Sequence, residues 1–240
     1  MKKTITKLFS VAIIVLTTIS FSACSKQKFH VNGAITDAKD SILYFENISL
    51  KGPVIVDSVK LSSDGTFSFS DDSPHAPEFY RLRINDQIIN LAIDSTETVT
   101  FKAKYPTMPT DYTVEGSYEC SKIKELALLQ ITLTNKALAL EANTELGANA
   151  VRENLKMALN TYKNYVKQYY IFKEPNKAYA YFALFQTLGN YLIFDPQSNR
   201  DDIKVYAAVA TSWDTFYPKS VRGKNLHNIA IEGMKNTRII

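Results

Sequence analysis

EGSYECSKIKELALL, Glu115 to Leu129, is where the period of the apolar residues changes. Before Gly116 the pattern alternates with period two, as half-buried strands do; from Ser117 it runs at about 3.6, as helices do. Ser117 sits where a helix N-cap belongs, and Ile123 and Leu126 begin a stripe that continues through Gln130, Leu133, Ala137 and Leu140. The chain therefore divides into a leader, residues 1–23, a β half, residues 24–116, and a helical half, residues 117–240.

N-terminal to the switch, Phe29, Val31 and Ile35 alternate with polar or small residues, and SILYFENI, VIVDSVKL, TFSFS, EFYRLRI, IINLAI and ETVTFKA follow at short intervals. About eight strands result, rich in β-branched and aromatic residues. Asp64-Gly65 predicts a tight hairpin turn between Val59/Leu61 and Phe67/Phe69, and Asn85-Asp86 marks another turn. Closely spaced antiparallel strands of this kind predict a β-sandwich or small barrel.

C-terminal to the switch, Val151, Leu155, Ala158, Tyr162, Tyr165 and Tyr169 form a second stripe. A third helix reads Ala178, Tyr181, Phe182, Phe185 and Leu188; a fourth Ile203, Ala207, Ala210, Trp213 and Phe216; a fifth runs from about Leu226 through Ile229, Ala230 and Met234. Ser198 with Asp201 resembles a capping box ahead of the fourth. The expected class is α+β, an antiparallel sandwich or barrel followed by an all-helical segment of about five helices.

The formal charge of +4 falls to +1 when Lys2, Lys3 and Lys7 of the leader are set aside, so nothing in the balance points to nucleic acid. Residues 24–116 carry net −4 and residues 117–240 net +5, which weakly favours docking of the two halves. His30, His75 and His227 lie far apart, with no partner at metal-ligand spacing, so no metal site is expected and no cofactor is implied. Gly-x-Ser-x-Gly, a phosphate-binding glycine loop and Cys-x-x-Cys do not occur, and no catalytic residue is assigned. Asp71-Asp72 and Asp201-Asp202 read as a solvated turn and a helix start.

Two positions carry sharper expectations. Cys120 falls in the first turn of the first predicted helix, where the dipole favours a thiolate; it is either a redox thiol or a small apolar residue at the domain junction. Tyr162 to Phe194 is crowded with aromatics, mostly on helical stripes and hence in a core; Tyr170 and Tyr179 fit the stripes least and are the candidates for an exposed ligand or partner contact.

Met1 to Lys7 is basic and Leu8 to Phe21 is apolar or hydroxylic, ending in Ser22-Ala23: the order of a secretory signal. The uncharged run of about fourteen residues is shorter than the about twenty that span a bilayer. Ser22-Ala23-Cys24 resembles a bacterial lipobox, which implies lipid attachment at Cys24. Ser25 after the cysteine resembles the pattern of lipoproteins released to an outer membrane, implying an anchor facing the periplasm, where two or three acyl chains hold firmly.

VDSVKLSSDGTFSFSDDSPHAPEFYRLRI, Val56 to Ile84, resembles the core of a β-rich domain of unknown function that follows the lipobox in many Gram-negative lipoproteins of thioredoxin-like, redoxin type. The resemblance rests on Val56-Asp57-Ser58, Asp64-Gly65 with Phe67 and Phe69, and Phe79-Tyr80. It implies a non-catalytic accessory module of a thiol-disulfide oxidoreductase, partnered with a thioredoxin-like domain in cis or trans. The sequence itself carries no such domain, and EGMKNTRII reads as though a helix or linker continues toward one. The alternative is an independent envelope lipoprotein that holds a glycan or peptide between its halves. Asp40-Ser41-Ile42, Asp57-Ser58-Val59 and Asp94-Ser95-Thr96 also resemble an O-glycosylation triplet.

Overall fold

The computed structural model describes residues 27–237; the leader and Cys24 lie outside the described residues. Eight strands come first: β1 (Lys28–Thr36), β2 (Ile42–Ser49), β3 (Gly52–Lys60), β4 (Thr66–Asp72), β5 (Glu78–Ile84), β6 (Gln87–Ile93), β7 (Thr98–Lys104) and β8 (Tyr112–Glu115). They form two four-stranded sheets, ordered β4-β1-β7-β8 and β3-β2-β5-β6. All ladders are antiparallel except β1 with β7, which run parallel. The class is α+β, as the change of period at Gly116 predicts.

The alternating residues of both sheets meet in one core. Phe29, Val31 and Ile35 from β1, Leu43 and Phe45 from β2, Leu82 from β5 and Phe101 from β7 have no exposed surface. Burying each such side chain contributes about 1.5–3 kcal/mol.

The turn at Asp64-Gly65 differs from the hairpin expected of it. β3 pairs with β2, whereas β4 pairs with β1 in the other sheet, so the turn is a corner between sheets. Gly65 takes φ +68°, and a Cβ there would lie 1.9 Å from the Ile35 carbonyl oxygen. The dipeptide signals positive φ but says nothing of which strands it joins. Asn85-Asp86, in contrast, closes the β5–β6 hairpin, with Asn85 at φ 50°.

Five helices follow: α1 (Tyr118–Glu141), α2 (Ala148–Val166), α3 (Ala178–Leu184), α4 (Arg200–Phe216) and α5 (Val221–Asn236). A two-residue hairpin of β9 (Thr187–Leu188) and β10 (Tyr191–Leu192) separates α3 from α4. The third helix is thus shorter than its stripe suggests, because the chain turns after Phe185 and Leu188 enters β9. Asn199, not Ser198, caps α4 by accepting from the Asp201 and Asp202 N–H groups. Ser198 bonds back to Asp195 instead.

The second sheet also buries part of its outer face, on β5 and β6. Phe79 and Ala92 on its outer side join the helical core, with Ile123 and Leu126 of α1, Tyr179 of α3, Trp213 of α4 and Leu226 of α5. The helical half is therefore packed directly on β5 and β6.

A candidate binding cleft between the sheet and the helices

The helices cover only part of the outer face of β2, β5 and β6. Beyond Phe79 the same face carries Arg81 and Arg83, one and two strand periods further along, with Glu46 and Tyr44 opposite them on β2. Glu46 is buried and accepts from Arg81 Nε at 2.5 Å and from Arg83 Nη2 at 2.6 Å. The hydrogen bonds from Arg83, then those from Arg81, hold its carboxyl below the usual range against the cost of burial.

Between this face and α3 runs a cleft in two compartments. The first, about 370 Å³, is walled by Phe79, Tyr181, Phe182 and Phe185, with Asn90, Gln186 and Asn225 as polar groups. The second, about 290 Å³, lies between Ile88 and Asn90 of β6, Pro109 and Tyr112 of the first sheet's end, and Ala127 and Ile131 of α1. Asn90, Phe182, Phe185 and Gln186 line both, so the two are one groove. The first compartment is chiefly apolar and the second chiefly polar, and the amides of Asn90 and Gln186, common to both, each offer a donor and an acceptor.

Arg222 of α5 closes one end of the groove. It is buried, donates to Glu78 Oε2 from Nε at 2.9 Å and Nη2 at 2.7 Å, and donates to the Ile48 carbonyl at 2.5 Å. Its guanidinium lies 5.0 Å from the Phe79 ring and 5.9 Å from that of Tyr181. Phe79 and Tyr181 stack at 5.0 Å, and Tyr181 also meets Phe185 at 4.9 Å and Trp213 at 4.8 Å. Tyr80, on the opposite side of β5, has its phenol pushed up to about 12, chiefly by burial.

Cys120 is placed as the N-cap argument expects, with its N–H bonded to Ser117 Oγ at 3.3 Å. Its environment is the reverse of a reactive thiol's. The side chain is 1% exposed and donates to the Ala92 carbonyl at 3.2 Å. Burial pushes the thiol up to about 12, outweighing the Ser117 and Ala92 hydrogen bonds that lower it. Around it, Glu97 and Glu119 are both raised by burial, and Glu119 Oε2 accepts from Tyr179 N at 3.2 Å.

Tyr170 and Tyr179 are not exposed: they are 5% and 1% accessible. Tyr170 lies in a π-helical turn, Lys167–Ile171, at the end of α2. Before this turn the buried face already runs through Tyr162 and Val166 rather than Tyr165, and it continues into the turn at Tyr170 and Ile171, leaving Tyr165 and Tyr169 of the predicted stripe toward solvent. The Tyr170 hydroxyl donates to Glu125 Oε2 at 2.8 Å. Tyr179 donates to Glu174 Oε2 at 2.5 Å, and α3 is buried on nearly every side, so no face of it is a solvent face. Burial, then the neighbouring carboxylate, raises both phenols above the ordinary value.

Cys24 lies outside the described residues. His30, His75 and His227 are exposed and separate, and among the described residues no three His, Cys, Asp or Glu side chains come together to hold a metal ion. No helix among the described residues is long and apolar enough to cross a membrane.

Residues 29–122 match the family model described as Domain of unknown function (DUF4369). The β half is thus a β-rich N-terminal domain of unknown function, and the match ends at Lys122 in the first turns of α1. No curated protein matches the chain. A crystal structure of (S)-allantoin synthase is similar over 39% of this chain and 45% of that one, at 10% identity and a TM-score of 0.29. The chain thus spans less than half of that protein's length.

Sequence reasoning missed the cleft residues themselves. Phe182 and Phe185 read as core, Arg222 fell before the predicted start of its helix, and Asn90 stood in an ordinary strand. Asp202 lies in the first turn of α4, as its reading as a helix start expects, and is in addition buried, accepting from Lys163 Nζ at 2.6 Å. No side-chain pattern marks the cleft; the Asn85-Asp86 turn bears on it only through the register of β5 with β6, which decides the direction in which Ile88 and Asn90 present their main chain.

Proposed function

We propose that the chain is a lipid-anchored, periplasm-facing accessory module of a thiol-disulfide oxidoreductase system, non-catalytic in itself, that works with a thioredoxin-like domain in cis or trans. The observation that carries this reading is the sealing of Cys120. Thiol-disulfide exchange needs an accessible thiolate in line with a disulfide, and a buried, hydrogen-bonded thiol with a raised pKa supplies neither. Redox work in such a system belongs to the partner, and this module contributes binding and placement. The lipobox-like Ser22-Ala23-Cys24 provides the tether.

The test uses the mature chain carrying Cys24→Ala with each thioredoxin-like envelope protein encoded in the same genome. The expected outcome is no insulin reduction by the chain alone and a micromolar or tighter Kd for at least one partner. Reductase activity that survives Cys120→Ser, or no binding to any of those proteins, sinks the reading. Metabolic labelling with palmitate, lost in Cys24→Ala, checks the tether.

A second reading, an independent envelope lipoprotein holding a peptide or glycan, is favoured by the groove's amides and aromatic walls. Thermal shift against glycan and peptide sets tests it: stabilisation without any thioredoxin-like partner supports it, and none across both sets removes it.

A further inference from the structure

The second sheet ends at β6, and the groove runs along that edge. The two-residue turn Asn85-Asp86 places Ile84 opposite Gln87, which fixes the alternation of the β5–β6 pairs. Ile84–Gln87, Leu82–Ile89 and Tyr80–Leu91 exchange ladder bonds; Arg83–Ile88, Arg81–Asn90 and Phe79–Ala92 do not. The main-chain N–H and C=O groups of Ile88, Asn90 and Ala92 therefore point away from β5, out of the sheet edge. The Ala92 carbonyl verifies the phase, because it accepts from Cys120 Sγ on α1. The main chains of Ile88 and Asn90 have no hydrogen-bond partner among the described residues, and both residues line the groove.

Unpaired main-chain donors and acceptors on a sheet edge are matched by one chemical partner above others, another polypeptide in extended conformation. We propose that the groove binds an extended peptide segment of another protein by strand addition to β6, through the main chain of Ile88 and Asn90. Successive side chains of an added strand point to opposite faces. On one side they meet Phe182, Phe185 and Gln186; on the other they meet Pro109 and Tyr112, with Ala127 and Ile131 of α1 forming the far wall. The occupant is thus a strand with apolar residues on the side of Phe182 and Phe185 and small or polar residues on the other, within reach of the Asn90 and Gln186 amides.

A glycan is the poorer match. Sugar binding uses a free aromatic face, whereas Phe79 and Tyr181 already stack on each other and Tyr181 on Phe185 and Trp213. The inference stands apart from the redox reading, since strand addition requires no thioredoxin-like partner.

The probe is a fluorescein-labelled degenerate pool of octapeptides, acetylated and amidated, with Val, Ile or Phe at alternate positions and Thr, Ser or Asn at the others. Fluorescence polarisation should give a micromolar Kd for the pool's best members. Methylating alternate main-chain nitrogens of such a peptide in one phase should weaken binding at least tenfold, and methylating the other phase should leave it within twofold. Ala127→Trp fills the second compartment and should abolish binding; Gln186→Ala, which removes an amide but no packing, should weaken it about three- to tenfold with an unchanged melting temperature. Nuclear magnetic resonance should shift the amide protons of Ile88 and Asn90 on binding. Equal affinity of both methylated phases, no binding by any pool at 1 mM, or oligosaccharide binding that Ala127→Trp abolishes overturns the proposal. So does concentration-dependent self-association lost in Ala127→Trp, which would make the occupant a second copy of this chain.

Discussion

Arg222 on α5 and Glu78 on β5, 144 residues apart, form a two-pronged ion pair across the seam between the halves. The arginine side chain is 6% exposed and the glutamate 36%, so the pair is buried on one side and wet on the other. Removing the arginine leaves a carboxylate that water can reach, but also strips a donor from the Ile48 carbonyl and the cation from the face of Phe79.

Arg222→Ala should therefore destabilise the chain by about 2–4 kcal/mol, toward the lower part of the range for a broken buried pair. Arg222→Lys should recover less than half of that, because an ammonium cannot serve Glu78 and Ile48 in one plane. Urea denaturation of the two variants against the parent measures both. A loss below about 0.5 kcal/mol for Arg222→Ala would show that the seam does not depend on this contact.

Cys120 should behave as a core residue. In native buffer near pH 8 its reaction with a disulfide reagent should be limited by opening of the fold, and should become immediate in denaturant. Cys120→Ser should fold with a loss of about 1–2 kcal/mol, since the hydroxyl keeps the bond to Ala92 while losing apolar contact. Fast labelling of the folded protein would contradict the burial.

The division of the chain was legible because it rests on period, and the period changes within two residues at Gly116-Ser117. Eight strands, five helices and the Ser117 cap follow from alternation, stripe and cap chemistry. What alternation could not show is which strands pair: Asp64-Gly65 reads alike as a hairpin or as a corner between sheets. Tyr170 was misplaced because the stripe was drawn through Tyr165 and Tyr169, whereas the buried face runs through Tyr162, Val166 and Tyr170. The cleft was illegible for a different reason. Its walls come from β5, β6, β8, α1, α3 and α5, and its polar edge is main chain, to which side-chain identity gives no clue.

Two buried carboxylates should give opposite slopes of stability with pH. Glu46 is held low by Arg83, so its contribution is present above its unfolded pKa and is lost as pH falls through the folded value. Glu119 is raised by burial, against the Tyr179 N–H and Lys177, so its contribution is full below the unfolded pKa and is lost as pH rises through the folded value. Glu119→Gln keeps an acceptor for Tyr179 and has no proton to lose. Its stability relative to the parent should accordingly be similar near about pH 4 and higher at about pH 7. Denaturation at both pH values checks this, and a difference that does not grow with pH would count against it.

Gly65 should be the least replaceable residue of the sheet-to-sheet corner. Its φ of +68° costs an L side chain about 1–2 kcal/mol before any contact is considered. A methyl group there would also stand 1.9 Å from the Ile35 carbonyl oxygen and 2.5 Å from its carbon, both main-chain atoms that cannot swing aside. The same neighbour holds the corner in place, since Ile35 N–H donates to the Gly65 carbonyl at 2.9 Å. Relief would require β1 and β4 to separate, at a place where Ile35 is fully buried. Gly65→Ala should cost about 3–5 kcal/mol, the size of a severe backbone effect, and Gly65→Asn somewhat less, because asparagine tolerates the left-handed region. Asp64→Ala should lose less than either, since it removes only the exposed carboxylate that accepts from Ser62 and Thr66. The order Ala, then Asn, then the Asp64 variant, read from denaturation midpoints, tests the corner; equal losses for all three would mean that the side-chain bonds of Asp64, rather than the conformation of Gly65, set the turn.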